Sequence, residues 1–195
     1  MKKRIITIIS FIIFITTVIL VCTNNNIIDN YILKIFTYKN PTLTNIMKTI
    51  SFLGSAYTII ILTILLIIVI KNKKNKLLLL FNVIITTLLN QTLKHTFQRI
   101  RPIDKIVEET GYSFPSGHSM IALSFYGFLI YMIYKSNIKY KKTLITILSI
   151  LILLIGISRI YLNVHYPTDV IGGFSLSLAY LLLFIEISKP NFTQN

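Results

Sequence analysis

Residues 135–169 read KSNIKYKKTLITILSILILLIGISRIYLNVHYPTD. Four lysines, Lys135, Lys139, Lys141 and Lys142, lead into the uncharged run Thr143–Ile157, which ends in Ser158 and Arg159. Beyond them stand His165, Pro167 and Asp169, and at Val170 a second apolar run begins. In lipid such a run must satisfy its own backbone groups, so it is helical despite the modest helix propensity of its Ile and Thr residues. Its two ends differ in kind. One carries bare positive charge, the other side chains suited to chemistry.

The rest of the chain repeats this pattern. Of 195 residues, 54% are hydrophobic and 13% charged, and the mean hydropathy is +0.73. A soluble domain would be about a quarter charged, and a disordered chain would lack groups to bury, so both classes are excluded. A hydrocarbon core of about 30 Å needs roughly 20 apolar residues. Six runs approach that length: Ile5–Cys22, Phe52–Ile70, Leu77–Leu93, His118–Tyr134, Thr143–Ile157 and Val170–Ile187. None shows the apolar/polar alternation of a membrane barrel. The expected fold is all-α, an integral membrane bundle of six transmembrane helices forming a single domain over residues 1–195. The first run is too long for a secretory signal and lacks a small-x-small cleavage site, so it is expected to stay as an anchor. Leu43, Ile46, Met47, Ile50 and Leu53 recur at helical spacing, which predicts an amphipathic helix near residues 42–53, lying in the outer interface or packed on the bundle. Cys22 is the single cysteine and forms no internal disulfide.

The basic residues give the orientation. Residues 1–4, 71–76, 135–142 and Lys189 fall on one side if all six runs cross, and hold 12 of the 20 bases with one acid, Glu186. The opposite side holds 8 bases and 5 acids. The positive-inside rule makes the first side cytoplasmic, with both termini there. The formal charge of +14 is therefore mainly a topology signal, and no nucleic-acid partner is expected.

On the other face the bases gather with histidines at helix ends. Lys94 and Arg101-Pro102 close the third run, Pro115-Ser116-Gly117-His118 opens the fourth, and Ser158-Arg159, His165 and Asp169 lie between the fifth and sixth. The active-site elements are thus residues 94–102, 115–118 and 158–169. Lys94, Arg101 and Arg159 suit an oxyanion, the arginine forks matching phosphate oxygens in pairs. Ser116 and Gly117 precede a helix whose amino-terminal amides and dipole favour phosphate. His165 lies four residues before Asp169, which can orient it through one ring nitrogen and leave the other to attack phosphorus. His118 can then protonate the leaving alcohol. The acids form no clustered carboxylate set for a divalent cation, so no metal or other cofactor is expected, and Glu108-Glu109 reads as a solvated pair.

The pattern Lys-x6-Arg-Pro, Pro-Ser-Gly-His and Ser-Arg-x5-His-x3-Asp resembles the three-part signature of the type 2 phosphatidic acid phosphatase family. It matches at eleven positions: Lys94, Arg101, Pro102, Pro115, Ser116, Gly117, His118, Ser158, Arg159, His165 and Asp169. The resemblance implies an integral-membrane lipid phosphatase of six helices. It implies that His165 is the nucleophile forming a phosphohistidine, with Asp169 as its orienter. His118 would be acid for the leaving group and then base for water, while Lys94, Arg101, Arg159 and Ser116-Gly117 hold the phosphate.

Singly, these residues have duller readings. Lys94 or Arg159 alone is an interface anchor, Asp169 a helix-start acid, and His95 a packing or interface residue. Arg99, outside the pattern, reads as another anchor or as a contact for a second phosphate. The leading function is hydrolysis of a lipid phosphomonoester or diphosphate drawn from the bilayer, at the extracytoplasmic face of the cell membrane. Phosphatidylglycerol phosphate, phosphatidic acid and polyprenyl diphosphate are the candidate substrates. The alternative is a non-catalytic lipid- or anion-binding membrane protein that retains the pocket, for which the two histidines and Asp169 would be superfluous. A transporter finds no support, because no run carries a charge near its centre.

Overall fold

A computed structural model describes residues 2–189 as eight helices: α1 (Lys2–Cys22), α2 (Ile27–Ile35), α3 (Pro41–Leu53), α4 (Ala56–Val69), α5 (Lys73–Phe97), α6 (Gly117–Lys135), α7 (Lys141–Tyr161) and α8 (Pro167–Ser188). Met1 and residues 190–195 lie outside the described residues, and with them the extreme ends of the expected 1–195 domain. Among the described residues there is no strand. Helices α1, α5, α6, α7 and α8 are each long and apolar enough to cross a membrane.

The second run departs from expectation. Instead of one span over Phe52–Ile70, the chain forms α3 and α4, bent by 47° at the break between them. The cause is local. Gly54 caps the end of α3, and the Ser55 side chain accepts the Thr58 N–H to start α4 afresh. The Thr58 hydroxyl in turn donates to Phe52 O at 2.7 Å. Such short polar side chains compete with continuous helical bonding. The bundle therefore has five long crossings, and a sixth if the bent pair counts as one. The amphipathic helix expected near 42–53 is α3, started by Asn40, whose side chain accepts from Thr42 N and Leu43 N. It packs on α7.

Helix α8 is the hub, touching α1 and α6 along much of its length. In lipid no hydrophobic force joins helices, so close packing of small residues must do it. On α1 the buried line is Thr7, Ser10, Phe14, Thr17 and Val21, while its isoleucines face outward. On α8, a Cβ at Gly172 would stand 2.8 Å from the Thr17 hydroxyl, and one at Gly173 would stand 2.9 Å from the Ser116 carbonyl oxygen. Helix α5 carries a buried polar stripe: Asn82, Thr86, Asn90 and Lys94 follow one another every four residues. Asn82 exchanges hydrogen bonds with Ser124 of α6 (2.9 Å each way), and Thr86 meets the same hydroxyl at 2.6 Å.

This alternation brings the end of α5, the start of α6, the end of α7 and the start of α8 to one end of the bundle. At the other end Arg4 lies 3.7 Å from Glu186, and Lys74 donates to the Lys189 carbonyl at 2.8 Å. The bases of the first, third and last spans thus share an end, as alternate crossing requires.

Replacing Gly173 by Ala should force the Ser116 backbone away and cost about 1–3 kcal/mol. A lowered Tm of the detergent-purified variant is the expected reading, whereas Ile171→Ala on the outer side of the same helix should leave Tm nearly unchanged.

Candidate active site

Three structural units converge. The α5–α6 loop, residues 98–116, is stitched to the α7–α8 turn by Ile106 N to Leu162 O (3.0 Å), Asn163 Nδ2 to Asp104 O (2.9 Å) and Ser116 N to Asp169 O (3.0 Å). Ser158 and Arg159 ride on the last turn of α7, directly after the apolar run that anchors them. His165 sits in the turn, fully covered, and Asp169 is the third residue of α8. There Asp169 Oδ2 accepts the Tyr166 N–H at 2.8 Å, closing the start of the helix, and stands 3.4 Å from His165 Nδ1.

The imidazole's tautomer follows from its other neighbour. Arg101 Nη1 lies 3.1 Å from His165 Nε2. A guanidinium only donates, so Nε2 must accept and the ring proton belongs on Nδ1, toward Asp169. Burial pushes His165 down to about 4, with the Arg101 and Arg159 charges adding to the effect and Asp169 opposing it. At neutral pH Nε2 therefore stays unprotonated, its lone pair engaged by Arg101.

A cavity of about 450 Å³ joins Lys94, Arg101, His118 and His165 and runs past Gly117 and Asn90. Its apolar side, Ile59, Ile60 and Val83, reaches the surface between α4 and α5, where Ile60 is exposed. Lys94 is anchored on Tyr112 O. Arg101 is held by the carbonyls of Thr110, Gly111 and Val164 at 2.9–3.0 Å. Gly117 is needed for close approach, since a Cβ there would stand 3.0 Å from Asn90 Oδ1, while Asn90 Nδ2 donates to Pro115 O at 3.0 Å. Ser116 caps α6, its Oγ bonded to Ser119 Oγ at 2.9 Å. Ser116, Arg159 and Asp169 stand behind the lining, and Arg159 is buried against Ser51 and Glu109.

The family model of the PAP2 superfamily matches residues 75–192. The chain belongs to this superfamily. Over 102 residues it is 46% identical to phosphatidylglycerophosphatase B of Bacillus subtilis, an alignment covering 50% of this chain and 49% of that protein, so it spans about half that relative's length. Over 80% of this chain and 78% of the other it is 28% identical to an undecaprenyl-diphosphatase of Sulfolobus acidocaldarius. The crystal structure of a transmembrane PAP2-type phosphatidylglycerolphosphate phosphatase from Bacillus subtilis superposes with a TM-score of 0.83 at 31% identity, covering 95% of this chain and 98% of that one.

Two sequence expectations for this PAP2 site need correction. Glu109 is no solvated acid: it pairs with Arg159 and lies 3.8 Å from Arg101. Burial works to raise its carboxyl, but Arg159's charge and hydrogen bond outweigh this and hold it below the ordinary value. Arg99 is neither a lipid anchor nor turned to the cavity. Its guanidinium bridges Asp169 (2.6 Å) and the buried Asp29 of α2 (2.7 Å) and lies 4.1 Å from the Tyr166 ring centroid. His95, read from sequence as a packing or interface residue, is exposed, stands edge-on to Tyr112 at 5.6 Å and borders the cavity. Ser113, unmarked in sequence by any pattern, donates to Asp169 Oδ2 at 2.5 Å. Among the described residues no group of three His, Cys, Asp or Glu side chains is placed to hold a metal ion.

A free histidine takes its proton near pH 6.5, whereas His165 in place takes it near 4. The unfolded chain therefore binds the proton first as pH falls, and the folded state loses stability between about 6.5 and 4. Imidazole ¹⁵N shifts of labelled protein in detergent should show a neutral Nδ1–H tautomer for His165 at pH 5.5. The loss of Tm across that window should be smaller in His165→Gln.

Proposed function

We propose that the protein is a membrane lipid phosphatase that hydrolyses a lipid phosphomonoester through a phosphohistidine on His165. The observation that carries this reading is the single cavity that joins His165 and His118 to Lys94 and Arg101 and reaches the lipid-facing surface between α4 and α5. A diacyl lipid can keep its tails beside Ile60 while its head group moves along the cavity to the cations. Arg159 Nε is buried with no hydrogen-bond partner, and such a donor costs about 1–3 kcal/mol until an acceptor such as a phosphate oxygen reaches it. As phosphate binds it competes with Glu109 for Arg159 and draws Arg101 from Nε2, freeing the lone pair to attack phosphorus. The P–O bond to the lipid breaks in line, and His118 supplies the proton the leaving alkoxide needs. Water activated by His118 then cleaves the P–N bond and regenerates the enzyme. Asp169 supports the positive charge that His165 carries as phosphohistidine. The cations do the work that a divalent metal does elsewhere.

A monophosphate of phosphatidylglycerol-phosphate type is the favoured substrate. The likeness to the Bacillus subtilis phosphatases supports it, as does the engagement of Arg99, a candidate contact for a second phosphate, with two carboxylates. The site lies on the extracytoplasmic face of the cell membrane, a placement supported by the basic opposite end and the positive-inside rule.

The purified protein should release phosphate from phosphatidylglycerol phosphate faster than from phosphatidic acid or polyprenyl diphosphate, and EDTA should not slow it. His165→Ala should lose at least about 10³-fold in kcat. Survival of that variant's activity, or an absolute need for Mg²⁺, would contradict the mechanism. In a Cys22→Ser background, a cysteine at Ile103, which is 92% exposed, should react with a membrane-impermeant maleimide on intact cells, and one at Lys73 should react only after lysis.

A further inference from the structure

Four groups outside the eleven-position pattern, Asp29, Arg99, Thr168 and Asn26, form a hydrogen-bonded network behind the His165–Asp169 pair. Asp29, on α2, is completely buried. Its Oδ1 accepts the Thr168 N–H at 2.8 Å, and its Oδ2 accepts the Thr168 hydroxyl at 2.8 Å and Arg99 Nη2 at 2.7 Å. Arg99 Nη2 also donates to Asn26 Oδ1 at 3.0 Å, and Nη1 donates to Thr168 Oγ1 at 2.7 Å and to Asp169 Oδ1 at 2.6 Å. Neither Arg99 nor Asp29 lines the cavity.

We infer that Arg99 and Asp29 are positioning residues for the nucleophile, acting through Asp169. The argument rests on the phosphatase reading above and runs through the two oxygens of one carboxylate. Oδ2 faces Ser113, the Tyr166 N–H and His165 Nδ1. With Oδ1 clamped by Arg99, the carboxylate cannot rotate about its Cβ–Cγ bond, and Oδ2 stays in line with the imidazole. Asp29 fixes the clamp: it holds Arg99 from the far side and fastens the first turn of α8 through Thr168. A planar guanidinium bridging two carboxylates, one nitrogen to each, sets direction as well as charge, which an ammonium would not. The remaining charges around the pair, Lys94, Arg101 and Glu109 on the cavity lining and Arg159 behind it, make no contact with Asp169 Oδ1 among the hydrogen bonds of the site. Residues 26–35 thereby become part of the active site although the family match begins at residue 75.

The alternative is that the network only staples α2 to the bundle, and paired variants separate the two roles. Arg99→Gln leaves Asp29 as a buried, unpaired carboxylate and should lower Tm. The double variant Arg99→Gln/Asp29→Asn removes the Asp29 charge, while the Asn carbonyl can still accept from Thr168, so Tm should recover in part, Asp169 still lacking its Arg99 partner. If Arg99 positions Asp169, kcat on the lipid substrate should stay low in both, down on the order of 10- to 100-fold, while the Ki of inorganic phosphate stays within about twofold of wild type. Arg99→Lys should rescue Tm more than kcat. Recovery of kcat together with Tm in the double variant would overturn the inference, as would a rise in phosphate Ki matching the loss in kcat. The controls are wild type and His165→Ala: if wild type is inactive on every lipid phosphate the phosphatase reading fails and this inference with it, whereas an active wild type with an equally active double variant removes this inference alone.

Discussion

The Asp169 carboxylate has no exposure to solvent, yet its two oxygens take the Arg99 guanidinium, the Ser113 hydroxyl and the Tyr166 N–H, and face His165 Nδ1. A buried charge is tolerable only when paired and fully hydrogen-bonded, so these donors must all be delivered together. They come from the α5–α6 loop and the start of α8, and Asp29 of α2 stands behind Arg99. The same carboxylate that orients the imidazole therefore starts α8, fixes the loop and ties down the segment after α1. Folding of this end and the orientation of the His165 imidazole are one problem with one solution.

Much of this was legible in the residues. The five long spans follow from uninterrupted apolar runs. The meeting of Lys94, Arg101, His118 and His165 at one cavity follows from fixed spacing along helix ends, where three or four residues make one turn and neighbours in sequence share a face. Legibility stopped where partners come from elsewhere in the chain. Glu109 and Arg159 are 50 residues apart and Arg99 and Asp29 are 70 apart, and neither pair carries a local signature. Ser113 lies in a loop whose path is set by backbone bonds to the α7–α8 turn. The break at Gly54-Ser55 is a subtler case. Both residues are in plain view, but an apolar run on each side outweighs them in hydropathy, and only the capping geometry of Ser55 shows that the helix restarts. Asn82, Thr86 and Asn90 could have been read as a stripe, since their four-residue spacing continues to Lys94 and points along α5 to the site.

The bundle separates its charges by function. At one end Lys3, Arg4 and Lys74 are exposed, Arg4 pairs loosely with Glu186, and Lys74 donates to the Lys189 carbonyl. At the other, Arg101 and Arg159 are buried and Arg99 is partly covered, and each faces an acid. Exposed charge costs little to hold and serves orientation. Buried charge must be matched group by group, and the matching is what gives the cavity its shape.

The short length of α4 bears on the bilayer itself. Its 14 residues rise roughly 21 Å, against about 37 Å for the 25 residues of α5 and a hydrocarbon core near 30 Å. The 47° bend turns α3 aside over α7, so the wall beside the cavity mouth is lower than its neighbours. Lipids bordering α4 meet a hydrophobic mismatch, and local thinning of the leaflet is the inexpensive response. Such thinning would set head groups deeper there than around the rest of the protein, nearer the level of Lys94 and Arg101.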